Sequence, residues 1–394
     1  MLSMPNQLKF DVIIVGSGPA GAIAAHELAR SGKSVAIIDK SEFPRKKLCG
    51  GLLPGKCIDL LLDIYQESGF DHSILDTTFD SFHLWHKDYG HICKCGSPGL
   101  AMHLVDRFQF DKYLLDKALD QGCLFYCGKV VSVVAGVVTT ETGSIFRGSH
   151  IIGADGANSV VRKSVQSKPV KDLATVSLEI EVPRSALRPQ HAARTADIHF
   201  AYNQVGYGWV FHRKDKSVIG MSGHAPHNRN IRSHLKEFCS DVLAEDYILQ
   251  DSEIEGFIIP TGNLTDSPAR GDVVLVGDAA GLVEPLTGEG IYFAMKSGQI
   301  AGRMLAKDHF RPAEYNRAIH KAISRNLSHA RLARKLFYSE RFFSRIMRKM
   351  QGDDTFGGLY FELLANKLSY FQYARKVLSL KRGFKLLKLI LRKH

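Results

Sequence analysis

The sequence has no long hydrophobic run, and no stretch reaches the roughly 18 uninterrupted apolar residues that a membrane-spanning helix needs. A strand-like run at residues 10–15 begins so close to Met1 that it leaves no room for a signal peptide. Cysteine is also scarce, since seven cysteines are spread over 394 residues, and an odd, thin set does not fit a disulfide framework. These absences predict a cytoplasmic protein in a reducing compartment.

Signatures of metal centres and of hydrolases are missing as well. The short groups of potential ligands lack a second pair at metal-ligand spacing: Cys93 and Cys95, Cys123 and Cys127, and His224 and His227. There is no Gly-x-Ser-x-Gly nucleophile elbow, no internal repeat and no low-complexity linker. We therefore expect no metal site and no hydrolase. With 45% hydrophobic and 23% charged residues, the chain can bury a sizeable core, which excludes disorder as its main state.

The positive charge is unevenly distributed along the chain. The formal net charge is +12, but residues 320–394 alone hold 18 Lys and Arg against 4 Asp and Glu, a balance of +14. Residues 1–319 therefore carry a net charge of −2. The basic excess is a property of the C-terminal region, and no recognised nucleic-acid module accompanies it. We expect no nucleic-acid partner.

The first informative segment has the order strand, glycine turn, helix and strand. An apolar strand at 11–15 leads into a glycine-rich turn and a helix-like stretch at 22–31, and a second strand at 34–38 ends in an acidic residue. This is the context that a dinucleotide fingerprint requires, with phosphates at the helix N-terminus and the acid on a ribose hydroxyl. The predicted cofactor-binding residues here are Gly16, Ser17, Gly18, Pro19, Ala20, Gly21, Asp39 and Lys40.

Two later segments repeat the combination of an apolar strand with an acidic, glycine-rich turn. The first, at 151–162, contains Asp155 and Gly156 before a helix start. The second begins with the strand at 272–276, followed by Gly277 and Asp278, and a loop then leads into a long helix that we expect to reach about residue 306. The residues at the start of that helix are further candidates for cofactor binding, because free N–H groups there favour negative charge: Gly288, Glu289, Gly290 and Ile291.

In their order and spacing, these three segments resemble the FAD-dependent oxidoreductases built like p-hydroxybenzoate hydroxylase. The resemblance implies that the Asp-Gly segment helps to hold the cofactor and that the Gly-Asp segment binds the ribityl chain. Arg107 matches the arginine that many members place near the FAD diphosphate. The resemblance also implies FAD as cofactor and NADH or NADPH as electron donor.

Two shorter motifs are similar to those of the geranylgeranyl reductase family of flavoproteins. Residues 46–52 resemble the family's Cys-Gly-Gly segment beside the flavin, which adds Cys49, Gly50 and Gly51 to the cofactor-binding candidates. Gly206–His212 resembles its Tyr-x-Trp-x-Phe-Pro motif, although His212 stands where the family usually has proline. The resemblance implies that Cys49, Tyr207 and Trp209 are catalytic candidates.

The residues themselves leave two interpretations open at these motifs. Tyr207 and Trp209 alternate along a strand, so both rings face one side and form a flat apolar wall. That wall would suit an isoprenoid chain laid against a flavin, but a pair of core aromatics would show the same pattern. Cys49 is similarly either a small buried hydrophobe or part of the flavin site, where Lys46 and Lys47 would lower the pKa of its thiol.

The region between the nucleotide segments changes to strand patterns. Residues 175–182 alternate strictly, as do shorter runs at 81–85, 197–200 and 217–221, which predicts an antiparallel sheet with one buried face. The predicted fold is α/β: a Rossmann-like FAD-binding domain with an inserted antiparallel-sheet substrate domain and a helical C-terminal region. The predicted FAD-binding parts are 1–80, 105–170 and 265–310, the substrate-domain parts are 81–104 and 171–264, and the basic helical region is 311–394.

The C-terminal region is aromatic-rich and mostly helical in pattern, with an expected interruption at 352–358. Residues 373–394 set apolar side chains at helical spacing with Lys and Arg between them. A basic amphipathic helix of this kind indicates peripheral binding to an anionic membrane surface, here at the inner face of the membrane. The alternative is a solvated basic face packed on the body of the protein. Nothing in the sequence indicates a particular oligomeric state.

Three functions remain open at this point. A reductase would pass hydride from a nicotinamide through FAD to an alkene, with a proton added at the neighbouring carbon. A monooxygenase would use the reduced flavin with oxygen to hydroxylate or halogenate an apolar substrate. A flavoprotein at the membrane surface without turnover is the third reading. The two short motifs favour the reductase acting on an isoprenoid or another apolar small molecule.

Overall fold

The computed structural model describes residues 8–66, 70–165, 174–193, 196–261, 267–365 and 367–379. The predicted domain boundaries at 170/171 and 264/265 lie outside these ranges, as do residues 380–394 of the predicted basic helix.

The described residues contain eighteen strands, many of them apolar and β-branched. In chain order they are β1 (Leu8–Val15), β2 (Val35–Asp39), β3 (Leu52–Pro54), β4 (Thr77–Phe79), β5 (Ser81–His86), β6 (Gly90–Gly96), β7 (Met102–Leu104), β8 (Leu124–Cys127), β9 (Val130–Val134), β10 (Val137–Thr140), β11 (Ile145–Gly153), β12 (Thr175–Val182), β13 (Ala196–Phe200), β14 (Gly206–His212), β15 (Ser217–His224), β16 (Glu255–Ile259), β17 (Ala269–Arg270) and β18 (Val273–Leu275).

Twelve α-helices lie in the same part of the chain. They are α1 (Pro19–Arg30), α2 (Gly55–Tyr65), α3 (Arg107–Leu119), α4 (Val160–Val165), α5 (Pro189–Ala192), α6 (Ile231–Val242), α7 (Ile291–Leu305), α8 (Pro312–Ile319), α9 (Arg325–Phe337), α10 (Glu340–Met350), α11 (Asp354–Leu364) and α12 (Tyr370–Ser379). A π-helical turn, His320–Ser324, joins α8 to α9. Among these helices, none combines the length and the apolar character that crossing a bilayer requires.

The first sheet is the nucleotide-binding layer. Its order is β17-β18-β11-β1-β2-β8, and the five strands from β18 to β8 run parallel. Strand β10 extends the sheet by antiparallel pairing with β11, and β9 pairs antiparallel with β10. The central strands are buried on both faces, as a parallel sheet covered by helices requires. Helices α1 and α7 pack closely together, because a Cβ added at Gly298 would lie 2.2 Å from the Ala20 carbonyl oxygen. The mixed α/β fold with a Rossmann-like layer is therefore confirmed.

The second sheet contains seven strands in the order β16-β12-β15-β14-β13-β5-β6. Every neighbouring pair is antiparallel except β13 and β5, which run parallel. The predicted alternating strand at 175–182 coincides with β12. A small third sheet, β3-β7-β4, lies where the chain passes between the two layers.

The expectation of a single buried face on the second sheet is wrong. Strands β13 and β15 are buried along almost their whole length, on both faces. One face packs on α6, whose Leu235 and Phe238 join Ile219 and Met221 in one apolar cluster. The other face is covered partly by α10 and α11 and partly by a loop from the first layer. The coverings come from distant parts of the chain, so strand alternation alone does not reveal them.

The described residues of the C-terminal region are mostly helical through residue 379. The interruption predicted at residues 352–358 is partly wrong. Helix α11 begins at Asp354, and Gly357 and Gly358 lie inside it. A Cβ added at Gly357 would lie 2.4 Å from the Lys94 carbonyl oxygen on β6, so this glycine permits close packing of helix on sheet. Met347 and Phe361 belong to the same buried cluster, which explains part of the region's apolar content by packing within the protein.

Candidate functional site

The glycine turn after β1 has the backbone geometry of a phosphate cradle. Gly16 has φ +97°, and a Cβ there would lie 2.4 Å from the Ala154 carbonyl oxygen. A Cβ on Gly21 would lie 1.9 Å from the Gly16 carbonyl oxygen. At Gly18, the N-cap of α1, the Arg45 guanidinium is the only group of the described residues within 4 Å of an added Cβ, at 3.7 Å. The N-terminus of α1 is therefore open to an anionic group.

Asp39, at the end of β2, ties the turn to the sheet. Its Oδ2 accepts hydrogen bonds from the Ser17 backbone N–H (2.8 Å) and the Ser17 hydroxyl (2.9 Å), and its Oδ1 accepts one from the Ser41 N–H (3.0 Å). A carboxylate oxygen accepts more than one hydrogen bond, so Oδ1 retains capacity for a ribose hydroxyl. Lys40 is exposed beside it.

The N-terminus of α7 and the turn after β18 form the second half of the cradle. The Gly277 N–H donates to the Ser297 hydroxyl (2.9 Å), which holds the turn on α7. Asp278 is half-buried, and its carboxylate accepts no hydrogen bond within the part of the chain that the structure describes. Burial raises its pKa, and Lys47, Arg107 and Arg162 oppose that shift. An unpartnered carboxylate in such a cleft suits the hydroxyl groups of a ribityl chain.

A buried glutamate organises the loop before α7. Glu284 Oε2 accepts from the Leu286 N–H (3.0 Å), the Thr287 N–H and the Thr287 hydroxyl (2.5 Å), and Glu284 Oε1 accepts from the Tyr370 hydroxyl (2.7 Å). Gly288, with φ +72°, then turns the chain into α7. Helix α12 therefore fixes the loop that presents the α7 N-terminus.

The remaining candidates at the start of α7 differ in their surroundings. Glu289 forms an ion pair with Lys56 (2.6 Å), while burial raises the pKa of its carboxyl. Gly290 is the N-cap, and Ile291 is buried as the first helical residue. Two backbone N–H groups here are used within the protein, since Gly288 donates to the Glu284 carbonyl oxygen (3.0 Å) and Glu289 donates to the Thr287 hydroxyl (3.3 Å). Gly290 lies close to Asp278, since a Cβ on Gly290 would lie 3.7 Å from Asp278 Oδ1.

Asp155 lies near this cradle, but its carboxylate is used by the protein itself. It accepts from the Ser159 hydroxyl (2.5 Å) and from the Val160 and Val161 N–H groups (2.6 and 3.2 Å), so it caps α4. Gly156 follows with φ +76°. Arg162, on α4, donates to the Ala279 carbonyl oxygen (3.0 Å) and joins this segment to the Asp278 turn.

Arg107 begins α3 and is buried in a charged cluster. Its guanidinium donates two hydrogen bonds to the Asp111 carboxylate, at 2.7 and 2.8 Å, and Arg45 lies 3.3 Å from the same carboxylate. The Cys49 thiol is also in contact with Arg107, and half-buried Lys47 has its pKa lowered by burial and by Arg107. Arg107 was predicted from its motif, whereas Arg45 and Asp111 were missed because an isolated charged residue carries no signal in the sequence.

Residues 46–51, which we call the Cys-Gly-Gly loop, lie across the second sheet. Lys46 pairs with Glu255 on β16, and the Lys47 ammonium sits 4.8 Å from the centre of the Phe257 ring. At the other end, a Cβ on Gly50 would lie 3.0 Å from the Phe211 ring and 3.1 Å from Trp209 Nε1. The loop therefore spans the sheet from β16 to β14.

The sheet face beneath this loop carries Tyr207, Trp209 and Phe211, and we call it the aromatic face. The ring centres are 5.8 Å apart for Tyr207 and Trp209, and 6.3 Å apart for Trp209 and Phe211. The Trp209 indole lies over Gly220 of β15, where a Cβ would be 2.1 Å from the ring. The predicted placement of Tyr207 and Trp209 on one side of the strand is thus what the structure has. Tyr207 also donates to the Thr287 carbonyl oxygen and so reaches the loop before α7.

Arg213, which the sequence analysis missed, fastens the Cys-Gly-Gly loop to the aromatic face. Its guanidinium donates to the Cys49 carbonyl oxygen (3.2 Å) and lies 3.3 Å from the Asp106 carboxylate. Cys49 itself is half-buried, and its sulfur accepts from the Gly51 N–H at 3.4 Å. The structure therefore brings Cys49, Trp209 and Tyr207 to one place beside the α7 N-terminus.

Two clefts flank the loop before α7. The first, with a cavity volume of about 20 Å³, lies under the C-terminal helices, and its lining includes Lys56, Glu284, Glu289, Leu363, Leu368 and Tyr370. The second, also of about 20 Å³, adjoins the aromatic face, and its lining includes Thr175, Tyr207, Ser222, His224, Arg334 and Tyr338. The C-terminal helices contribute to both clefts, although no sequence motif predicted a site role for them.

His212 and a neighbouring polar cluster occupy the far side of the second sheet. His212 ends β14, bonds to the Ser217 hydroxyl (2.7 Å) and to the His191 carbonyl oxygen (2.9 Å), and so closes the β14–β15 hairpin where a proline was expected. His191 Nδ1 in turn bonds to Asp197 Oδ2 at 2.8 Å, and His199 completes a buried group whose potential ligand atoms lie within 4.8 Å of one another. Hydrogen bonding between His191 and Asp197 accounts for this contact without an ion.

Known proteins resemble this chain along most of its length. A family model described as "FAD binding domain" matches residues 9–309. Geranylgeranyl diphosphate reductase of Rhodobacter capsulatus is 30% identical over 309 residues, which cover 75% of this chain and 74% of that protein. Menaquinone reductase of Mycolicibacterium smegmatis is 28% identical over 334 residues, which cover 75% of this chain and 76% of that protein.

The fold is also found in a solved structure. The crystal structure of a geranylgeranyl bacteriochlorophyll reductase-like protein from Thermoplasma acidophilum has a TM-score of 0.76 at 20% identity, and covers 94% of this chain and 99% of that chain. The family match at residues 9–309 contains all three nucleotide segments, from the turn after β1 to the start of α7. The open α1 N-terminus, Asp39 and the unpartnered carboxylate of Asp278 fit FAD. The chain therefore belongs to the FAD-binding-domain family of flavin-dependent oxidoreductases, in the group of the geranylgeranyl reductases.

Proposed function

We propose that this protein reduces carbon–carbon double bonds in the isoprenoid chain of a lipid. The observation that carries the proposal is the aromatic face, where Trp209 and Phe211 lie against Gly50 and beside Cys49. This apolar wall adjoins the α7 N-terminus, where the isoalloxazine ring of a bound FAD is expected. A flat aromatic wall next to the flavin suits an unsaturated hydrocarbon chain.

In this proposal the cofactor is held by the three nucleotide segments. The α1 N-terminus receives the diphosphate, Asp39 the ribose and Asp278 the ribityl chain, while Arg107 and Arg45 contribute positive charge nearby. When bound, FAD supplies the hydride for reduction, after receiving electrons from NADH or NADPH. The N–H groups of Gly290 and Ile291 would favour negative charge on the reduced ring.

The names of two relatives support the substrate class. The Rhodobacter capsulatus relative is a geranylgeranyl diphosphate reductase, and the Mycolicibacterium smegmatis relative is a menaquinone reductase. Geranylgeranyl diphosphate and menaquinone share an unsaturated isoprenoid chain and differ in the head group. We therefore assign the chain, and no particular head group, to this protein. The aromatic face is the proposed place for the chain.

We also propose that the protein works at the cytoplasmic surface of a membrane. A polyprenyl substrate is almost insoluble in water, so an enzyme acting on it gains from binding where the lipid is concentrated. The basic residues of 380–394 would supply the attraction to anionic lipid.

The test is anaerobic reoxidation of the dithionite-reduced protein by a geranylgeranyl lipid, followed by flavin absorbance. We expect reoxidation by the unsaturated lipid and none by its fully saturated counterpart. Trp209→Ala should slow reoxidation, because it removes part of the aromatic wall. Trp85→Ala is the control, because it removes the only other tryptophan of the sequence, which lies on the opposite face of the sheet, and it should react like the wild type. Reoxidation only after oxygen is admitted would refute the reductase and favour a monooxygenase.

A further inference from the structure

We propose that Glu179 is the proton donor of the reaction, the residue that protonates the alkene carbon next to the one that receives hydride. This inference rests on the proposed function and adds a catalytic residue to it. Glu179 lies on β12, in the alternating segment whose polar side the sequence analysis treated as exposed. Nothing in the nucleotide or aromatic motifs points to it.

The strand register places Glu179 on the aromatic face. On β12, Glu179 pairs with Gly220 of β15, and Gly220 pairs with Trp209 of β14. Directly paired residues of antiparallel strands project on the same side of the sheet. Gly220 has no side chain, and the Trp209 indole covers it. The carboxyl of Glu179 and the indole of Trp209 are therefore next to each other across that glycine.

The Cys-Gly-Gly loop covers the row formed by Glu179, Gly220 and Trp209. Glu255, the other cross-strand partner of Glu179, pairs with Lys46, and the next ring on β16, Phe257, contacts Lys47. The loop thus runs above Glu179 and continues to Cys49 and Gly50, which lie on Trp209. Glu179 is covered by the segment that the family resemblance places beside the flavin.

Glu179 is buried and lacks a partner that would hold it as an anion. Glu179 is 4% exposed, and its Oε1 atom has no hydrogen-bond partner among the described residues. Arg213, the basic group with the largest effect on Glu179, uses its guanidinium to contact Asp106 and the Cys49 carbonyl oxygen, so its positive charge only partly favours the anion. A buried carboxyl without a hydrogen-bonded cation is costly to ionise, so it favours the protonated form.

The charges around Glu179 leave it able to exchange a proton near neutral pH. Burial raises the pKa of Glu179 to about 7, because the positive charges of Arg213, Lys47 and Arg107 only partly offset the loss of solvent. The negative charge of Glu181, on the same strand, also raises the pKa of Glu179. The other titratable or charged groups packed around this part of the face are Lys46, Cys49, Tyr207, Glu255 and Asp278. A group with such a pKa donates and recovers a proton at physiological pH.

The chemistry balances with one acid. Saturating a double bond breaks its π bond and forms two C–H bonds, one from hydride and one from a proton. The hydride would come from the bound reduced cofactor, which would thereby be oxidised, and the Glu179 O–H bond would break and leave a carboxylate. That carboxylate recovers its proton from solvent before the next turnover. Cys49 and Tyr207 need not ionise for this step.

The decisive variant is Glu179→Gln, which preserves the size of the side chain and removes the proton. We expect the holoenzyme to retain FAD and to be reduced by dithionite, but to be reoxidised by a geranylgeranyl lipid at least 100-fold more slowly, the lower end of what general acid catalysis contributes. The wild-type rate should fall above about pH 7, and the variant should lose that inflection. Glu181→Gln, two residues along β12 and exposed, is the matched control; it should react at the wild-type rate and keep the inflection, moved to slightly lower pH because Glu181 raises the pKa of Glu179.

A second readout needs no turnover. The absorption spectrum of the bound, oxidised flavin should change with pH around 7 as Glu179 ionises, and this change should be missing in Glu179→Gln. Should that variant fail to fold, Glu179→Asp retains an acid, and its rate should fall while the pH inflection remains.

The outcomes separate the two proposals. A wild-type protein that the lipid reoxidises, together with an equally fast Glu179→Gln of unchanged pH profile, would overturn the role of Glu179 alone. A wild-type protein that no isoprenoid lipid reoxidises would overturn the proposed function and this inference with it. A slow variant without the inflection, and without the spectral change, supports the proton donor.

Discussion

The buried carboxyl of Glu179 should make the stability of the protein depend on pH, independently of any catalysis. In the unfolded chain a glutamate ionises at its ordinary pKa of 4.5, whereas burial raises the pKa of Glu179 to about 7 in the fold. Between these values the folded state binds the proton and the unfolded state releases it. The contribution is therefore fully present below pH 4.5 and is lost as the pH rises through 7.

The size of the effect follows from the same two values. A difference of about 2.5 in pKa corresponds to about 3 kcal/mol between pH 4.5 and the range above pH 7, at about 1.4 kcal/mol for each tenfold step. Glu179→Gln removes this contribution at every pH. The free energy of unfolding of the variant, relative to that of the wild type, should therefore rise by up to about 3 kcal/mol between pH 5 and pH 8. Any effect of the amide that does not depend on pH leaves this change unaltered.

The assay is urea unfolding of the FAD-saturated protein at pH 5, 6, 7 and 8, with the free energy of unfolding extrapolated to water. The Glu181→Gln variant controls for the loss of an acidic residue on the same strand. If the curves of wild type and Glu179→Gln run parallel across this range, Glu179 is not a buried acid with a raised pKa, and the reasoning fails.

Three further predictions follow from the cradle and the C-terminal region. Asp278→Asn should weaken FAD binding by at least tenfold, as measured by fluorescence of released FAD, since a charged acceptor for hydroxyl groups is worth about 1.5–3 kcal/mol; unchanged affinity would contradict the ribityl role. Gly298→Ala should destabilise the protein by about 1–3 kcal/mol in thermal melting, because its Cβ would lie 2.2 Å from the Ala20 carbonyl oxygen. A chain ending at Ser379 should keep FAD and lose much of its sedimentation with anionic vesicles, and equal sedimentation would show that 380–394 is not the anchor.

Sequence reasoning predicted the parts of the fold that depend on local pattern. The glycine turn at 16–21 follows a buried strand and precedes a helix, and those three features already determine a nucleotide cradle. The strand Thr175–Val182 was predicted with its observed bounds, because strict alternation is specific for a strand. Tyr207 and Trp209 were likewise placed on one side of a strand by their spacing alone.

The remaining features depend on which distant segments meet. Alternation is the same whether the polar side of a strand faces water or a covering loop. The sequence therefore predicts Glu179 to be exposed, whereas in the structure the Cys-Gly-Gly loop covers it. Gly357 reads as a helix breaker, yet it lies within α11 because the helix must approach Lys94 closely. Asp155 was a cofactor-binding candidate, but its carboxylate caps α4, and a capping acid cannot be told from a ligand-binding one by its motif.

The central claim is that reduced FAD and an isoprenoid chain meet at the aromatic face, and the mass of the lipid product tests it most directly. The holoenzyme would be reduced with dithionite, freed of oxygen and excess reductant, and mixed with a geranylgeranyl lipid for one turnover. The account predicts a product heavier by about 2 mass units for each double bond saturated, in an amount matching the flavin reoxidised. A lipid recovered unchanged, or one that gains about 16 mass units only when oxygen is present, would contradict it.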